Sequence, residues 1–279
     1  ALGIRVEQNG AARCVLDLAQ HAANVGEGQH VAVFVGDGSQ AARGIEPFDR
    51  LVLVGEQPRA ISIVIDDMGA DIEKLRELMR LDSPITVAVM PHLKYSAMVA
   101  SEAHARGWEV IMHLPMEPRD MGENDPGVGA LLVVMTNEEV RTQMANDFKT
   151  VPYALGVNNH MGSKFTEDTG LMTVVMQEVK RKNMFFLDSR TSPDSVAGKL
   201  ARNMKVDSAD RNVFLDNTRE KGYIKGQIRE LVAIARKKGK AIGIGHPYPE
   251  TIEALMETVD DLDKEGVTVV RLSELVEKR

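Results

Sequence analysis

From residue 61 onward the chain repeats one unit: a short apolar run rich in β-branched residues, a polar break, then a stretch with helical periodicity. The apolar runs are Ile61–Ile65, Ile85–Val89, Glu109–Met112, Leu155–Val157, Met184–Leu187, Val213–Leu215, Ala241–Ile244 and Val267–Val270. Runs this short and this apolar, bounded by Gly, Pro, Asp or Asn, predict strands buried on both faces, which is the parallel arrangement. Between them, Thr136 and Glu139 form a capping box ahead of Val140, Met144 and Phe148. Ile224, Ile228, Leu231 and Ala235 form a helical stripe before Gly239, and Ile252, Leu255, Met256, Val259 and Leu262 form another before Gly266. The strand ends fall near residues 67, 90, 113, 160, 188, 216, 246 and 271, which leaves steps of 23 to 30 residues and one of 47. About eight βα units of that size predict an α/β fold closed into a barrel rather than a Rossmann sheet. The long step predicts an inserted loop over residues 117–129, which hold two Pro and three Gly.

Residues 1–60 do not follow this rhythm and read as an N-terminal extension or small subdomain, with the barrel over 61–279. Within the extension, Ala11–Ala23 predicts a short helix, His30–Val35 a strand and Gly36-Asp37-Gly38 a turn. Gly36 and Gly38 lack the third glycine of a dinucleotide fingerprint, and no phosphate-loop motif occurs, so nucleotide cofactors are disfavoured. With 34 Lys plus Arg against 41 Asp plus Glu, a net charge of −7 and few aromatics, the chain has no basic stripe for nucleic acid or for an anionic membrane surface. No apolar run approaches the roughly 20 residues of a membrane span. Cys14 is the only cysteine, so any metal site must be built from His and carboxylate. The 15 methionines fall mostly in the apolar stripes, where they fill gaps in a core.

The strand ends carry the chemistry. In chain order they are Asp66-Asp67, Pro91-His92, His113-Leu-Pro115, Asn158-Asn159-His160, Asp188-Ser189-Arg190, Asp216-Asn217 and His246-Pro247. In a βα barrel the loops after the strands share one face, so four of the seven histidines converge with four aspartates. Side chains alternate along a strand, so Asp66 and Asp67 are expected to point apart and to hold separate roles. Asp67, His113 and His160 make an N2O ligand set suited to a catalytic zinc. Asp67 is also placed to cap the helix containing Ile72, Leu75 and Leu78, and both readings stand at this point. His92 is either a pocket residue or part of a turn beside Pro91.

Taken together, Ile63-Val-Ile-Asp-Asp-Met-Gly69, His113-Leu-Pro-Met116, Asn158-Asn-His-Met-Gly-Ser163, Leu187-Asp-Ser189 and Gly243-Ile-Gly-His-Pro247 resemble the divergent polysaccharide deacetylase family, the YibQ-like proteins. The resemblance covers residues 61–279. It implies a NodB-like distorted βα barrel of seven to eight parallel strands, a divalent metal such as zinc, an acetylated sugar or polysaccharide as substrate, and a periplasmic or envelope setting. It casts Asp66 as the catalytic base, Asp67 and His113 as metal ligands and His246 as the general acid. The second metal-binding histidine of ordinary NodB enzymes is replaced by Glu117, and His160 is preferred as third ligand. Asp188 and Arg190 are placed to orient the base. Asn158, Asn159, Asp188, Ser189 and Arg190 are candidates to contact sugar, although Asn and Ser at strand ends also satisfy loop backbone. The resemblance thus predicts metal-dependent removal of an N- or O-acetyl group. The incomplete second motif keeps an alternative, a barrel that binds glycan or an envelope partner without turnover, and a small-molecule deacylase is a third.

Overall fold

A computed structural model describes residues 59–279 together with two short strands in the preceding segment. The chain divides into two compact units, Ala1–Gln57 and Pro58–Arg279. In the first, β1 (Val31–Val33) pairs antiparallel with β2 (Val52–Val54), Val31 opposite Val54. The predicted strand at 30–35 therefore contains β1, while the predicted helix at 11–23, the turn at 36–38 and Cys14 lie outside the described residues.

The second unit is a curved parallel sheet wrapped by helices. Its strands are β3 (Ala60–Met68), β4 (Thr86–Val89), β5 (Glu109–Met116), β6 (Gly156–Met161), β7 (Phe185–Asp188), β8 (Ser208–Asp210), β9 (Val213–Phe214), β10 (Lys240–Gly245) and β11 (Thr268–Val269). The order is β8-β7-β6-β5-β4-β3-β10-β9, and β11 adds to the start of β3 at Ala60 and Ile61. Every ladder in this sheet is parallel. The sheet path ends at β8 and β9, which are not paired with each other, so the barrel stays open at that seam and is not closed as the repeat count suggested. β8 had no sequence signal because Ser-Ala-Asp is not an apolar run. The run expected as the eighth barrel strand is the two-residue β11 flanking β3.

The helices are α1 (Ile72–Leu78), α2 (Ser96–Ala105), α3 (Asn137–Phe148), α4 (Thr169–Arg181), α5 (Ala197–Met204), α6 (Lys221–Lys238), α7 (Pro249–Met256) and α8 (Leu272–Leu275). None is long and apolar enough to cross a membrane. The Thr136–Glu139 capping box starts α3 as predicted, and Gly239, at φ 85°, ends α6. The stripe from Ile252 to Leu262 is split. Thr258, at φ −133°, leaves the helix, and Val259 and Leu262 continue burying themselves from a 3₁₀ segment, Val259–Glu265.

Alternation along the strands creates two cores. Ile61, Ile63 and Ile65 pack outward under the helices, each fully buried and worth about 1.5–3 kcal/mol. The opposite rows face the barrel axis: Val64, Ala88, Ile111, Phe185, Leu187, Ile242 and Ile244 form a smaller interior cluster with Leu272 and Leu275 of α8. Apolar packing fills the interior up to these residues. Two residues further along the same rows come Asp66, His113, Ser189 and His246.

Candidate active site

These inward rows deliver the site. Register sets His113 of β5 beside Asn158 of β6, and Ile244 of β10 beside Phe214 of β9, so that His246 and Asp216 follow at one height. Asp67 is the exception to the pleat. Between Ile65 and Met68 the β3–β4 register shifts by one residue, and Asp67 adopts φ 57°, the left-handed region. That bulge overturns the expectation that Asp66 and Asp67 point apart. Both turn toward one imidazole nitrogen, His113 Nε2, Asp67 Oδ1 at 3.2 Å and Asp66 Oδ2 at 3.6 Å. His92, Met161 and Arg190 also have positive φ at strand ends, so backbone strain gathers at this rim of the barrel.

Asp67 Oδ1, His113 Nε2 and His160 Nδ1 form a triangle with edges of 2.9, 3.0 and 3.2 Å. Two ligands about 2.0–2.1 Å from one tetrahedral zinc lie about 3.3 Å apart, so the triangle has the dimensions of a metal-ligand face. Its proton arrangement points the same way. Asn158 Nδ2 faces two oxygens, Asp66 Oδ1 at 2.8 Å and Ser189 Oγ at 3.2 Å, and therefore donates to both. Asn158 Oδ1 then accepts from His113 Nδ1 at 2.8 Å, which leaves His113 Nε2 with a lone pair aimed into the triangle. Asp67 Oδ1 is buried without a hydrogen-bond donor aligned on it. His160 Nδ1 stands 3.0 Å from His113 Nε2 and 2.9 Å from Asp67 Oδ1, and with the His160 proton on Nε2 all three atoms present lone pairs to one point, so these residues fit a divalent metal.

The alternative role for Asp67, capping the first helix after β3, does not hold. Asp71 caps α1 by accepting from the Glu73 backbone N–H at 2.9 Å, four residues beyond the bulge. Burial raises the Asp67 carboxyl, but the neighbouring His113 and His160 outweigh it and hold the group well below the usual carboxylate range. Asp66 goes the other way: burial lifts its pKa against the pull of His113 and His246. A carboxylate made more basic in this way suits proton abstraction.

On the other side stands His246. Its Nδ1 donates to Asp216 Oδ1 at 2.9 Å, and its Nε2 lies 3.8 Å from Asp67 Oδ2. Asp216 is held in turn by the His246 backbone N–H at 2.6 Å and by the Thr251 hydroxyl at 2.8 Å, both donating to Oδ2. Burial lowers the His246 pKa, but the Asp216 hydrogen bond and charge, with Asp67 and Asp66 behind them, raise it overall. The ring is flanked by Phe214 at 5.4 Å and Tyr248 at 5.3 Å between centroids.

The residues expected to contact sugar have other partners. Asn158 is fully buried between Asp66 and His113. Asn159 accepts from the Ser189 backbone N–H at 2.9 Å and donates to the Met161 carbonyl at 2.8 Å, which ties the loops after β6 and β7 together. Asp188 does not reach Asp66; its oxygens accept from the Arg190 backbone N–H and the Ser195 hydroxyl, both at 2.8 Å. Arg190 lies 3.9 Å from Asp210, so neither residue orients the base. That position belongs to Asn158. Glu117 is not at the triangle. It accepts from the Val133 backbone N–H at 2.6 Å and from Lys164 at 2.5 Å, pinning the inserted loop after β5. His92 bonds to the buried Asp147 at 2.7 Å and belongs to the β4–α3 packing. Asp216 stood at a predicted strand end without a role, and Arg211, which donates to the Ser189 and Arg190 carbonyls at 2.7 and 3.1 Å, was not singled out by any motif.

The comparisons with known proteins fit this geometry. The family model described as divergent polysaccharide deacetylase matches residues 63–276. The uncharacterized protein YibQ of Escherichia coli K12 is 36% identical over 216 residues, covering 77% of this chain and 67% of that protein. The crystal structure of the uncharacterized protein ATU2773 from Agrobacterium tumefaciens superposes with a TM-score of 0.75 at 23% identity, covering 80% of this chain and 91% of that one. The catalytic domain of a peptidoglycan N-acetylglucosamine deacetylase from Eubacterium rectale gives a TM-score of 0.50 at 14% identity, covering 81% and 94%. The two structures share the NodB-like fold with this chain.

Proposed function

The chain belongs to the divergent polysaccharide deacetylase family, and from that premise we propose that it is a metal-dependent deacetylase of an acetylated polysaccharide, cleaving N- or O-acetyl groups. The observation that carries the reading is the ligand triangle of Asp67, His113 and His160 with a buried carboxylate, Asp66, on one side and a carboxylate-paired imidazole, His246, on the other. A divalent ion held by the triangle, for which zinc suits the N2O donor set, would polarise the acetyl carbonyl and acidify a water.

The remaining chemistry belongs to the chain. Asp66, held by Asn158 Nδ2, accepts a proton from the attacking water. His246 presents Nε2–H to the leaving amine or alkoxide, and Asp216 stabilises the imidazolium before it gives up that proton. Burial of Asp66 and His113 restricts competing water around the base. The binding-only alternative rested on the missing second-motif histidine. His160 offers a third ligand in its place, so that ground favours the alternative no longer. An envelope location is part of the same proposal and is checked by cell fractionation.

The test is acetate release from acetylated oligosaccharides with zinc, cobalt or nickel added. Release by the wild type, and loss of about a hundredfold or more in Asp66→Asn and His113→Ala, is the expected result. Full activity in both variants overturns the assignment.

A further inference from the structure

Five side chains stack in a row across the acid side of the site. Arg211 lies over Phe214 at 4.6 Å, Phe214 is stacked on His246 at 5.4 Å, His246 meets Tyr248 at 5.3 Å, and Arg219 lies over Tyr248 at 3.7 Å. The two arginines at the ends differ. Arg211 is half-buried, and its guanidinium is consumed by the carbonyls of Ser189 and Arg190. Arg219 is exposed and makes one hydrogen bond, to the Tyr248 hydroxyl at 2.8 Å. Among the described residues no carboxylate lies in ion-pair reach of it.

A guanidinium seated on an aromatic ring and bonded to that ring's hydroxyl has lost much of its rotamer freedom. It still offers several N–H donors to solvent in a planar fork matched to a carboxylate. Arg219 precedes α6 and Tyr248 precedes α7; Glu220 at the N-cap of α6 and Glu250 in the first turn of α7 are the nearest acids in sequence, and neither pairs with Arg219. Tyr248 is engaged by both His246 and Arg219, so the outermost group of the stack is the charged one, not a bare ring for a sugar face.

We propose that Arg219, seated on Tyr248, is a specificity site for a carboxylate carried by the polysaccharide near the acetyl group that is removed. This rests on the deacetylase reading for its place beside His246, and it narrows the substrate to acidic glycans. The carboxylate accepts from Arg219, and the acetyl-bearing unit then lies between His246 and the triangle.

Binding is measured in the zinc-loaded Asp66→Asn chain, so that turnover does not intrude. The probes are neutral acetylated chitotetraose and two carboxylated relatives, one oxidised at C6 and one bearing lactyl ethers. At least one acidic probe is expected to bind about tenfold or more tighter than the neutral one. Arg219→Gln brings that preference to within about twofold, and Arg219→Glu inverts it, whereas Arg236→Gln, a charge removed elsewhere, leaves it intact. The preference also shrinks as salt rises. Equal binding of neutral and acidic probes, or a preference that survives Arg219→Gln, overturns the proposal. Acetate release by the wild-type chain is assayed in parallel. Carboxylate-dependent binding without release from any probe counts against the deacetylase reading alone, and release with no binding preference counts against Arg219 alone.

Discussion

Two histidines face the same cavity from opposite sides, and their partners differ by one functional group. His113 donates Nδ1–H to the amide oxygen of Asn158, and His246 donates Nδ1–H to the carboxylate of Asp216. Asn158 is paired with His113 across the β5–β6 ladder, whereas Asp216 and His246 follow the paired ends of β9 and β10, each two residues past the Phe214–Ile244 pair. A neutral amide fixes the His113 tautomer without adding charge at Nδ1; burial lowers the His113 pKa, but Asp66 and Asp67, which lie at Nε2 instead, raise it overall, and Nε2 is the atom a metal would take in place of a proton. A carboxylate stabilises the imidazolium and keeps Nε2 protonated. One strand-end histidine thereby becomes a ligand and the other an acid. The choice is made by Asn against Asp one strand away.

The largest expected effect breaks the ligand side outright. Asp67→Ala and His113→Ala are expected to purify with no zinc above background while wild-type protein binds about one equivalent, measured by elemental analysis; undiminished zinc in either variant removes the metal centre. Next, Asp216→Asn gives His246 the same kind of partner as His113. Asp216 raises the His246 pKa, so its loss lowers it, and a general acid that must be protonated fails sooner as pH rises. The basic limb of the pH–rate profile is therefore expected to move toward acid, with zinc content unchanged and kcat reduced by about 10²-fold or more. A profile that stays in place contradicts the acid role.

Asn158→Ala is the milder test of the ligand side. It removes the bond that orients His113 and the donor that holds Asp66, and zinc affinity is expected to fall about 10- to 100-fold. The smallest effect lies outside the site, in a third pair, His92 with Asp147. Burial raises the Asp147 carboxyl to about 6, against the lowering effects of Gln143 and His92. The folded state thus holds the proton more tightly than the unfolded chain, so the carboxyl's contribution to stability falls as pH rises from near 4 to 6. Thermal midpoints of wild type minus Asp147→Asn should shrink over that window and level off above it. A difference that grows with pH contradicts the sign.

Much of the site was legible because two periods do the work. Period-2 alternation carries Ile111 to His113, Ile242 through Ile244 to His246, and Val64 to Asp66, so apolar rows that end in ionisable residues mark the inner rim. What alternation cannot foresee is a bulge. Nothing in Ile-Asp-Asp-Met announces that Asp67 takes a left-handed φ, yet that single turn sends both carboxylates to one imidazole. Partner identity was hidden for a different reason. Asn158 and Asn159 are adjacent and chemically identical, and only strand register assigns one to the catalytic pair and the other to loop bracing. The open seam has no sequence signature because β8 carries no apolar run, and Arg211 and Arg219 have none because loop arginines follow no period.

Anomalous diffraction at the zinc edge from metal-loaded crystals tests the central claim most directly. A single peak about 2.0–2.2 Å from Asp67 Oδ1, His113 Nε2 and His160 Nδ1 is the expected result. A zinc peak elsewhere, or none in this cavity at saturating metal, contradicts it.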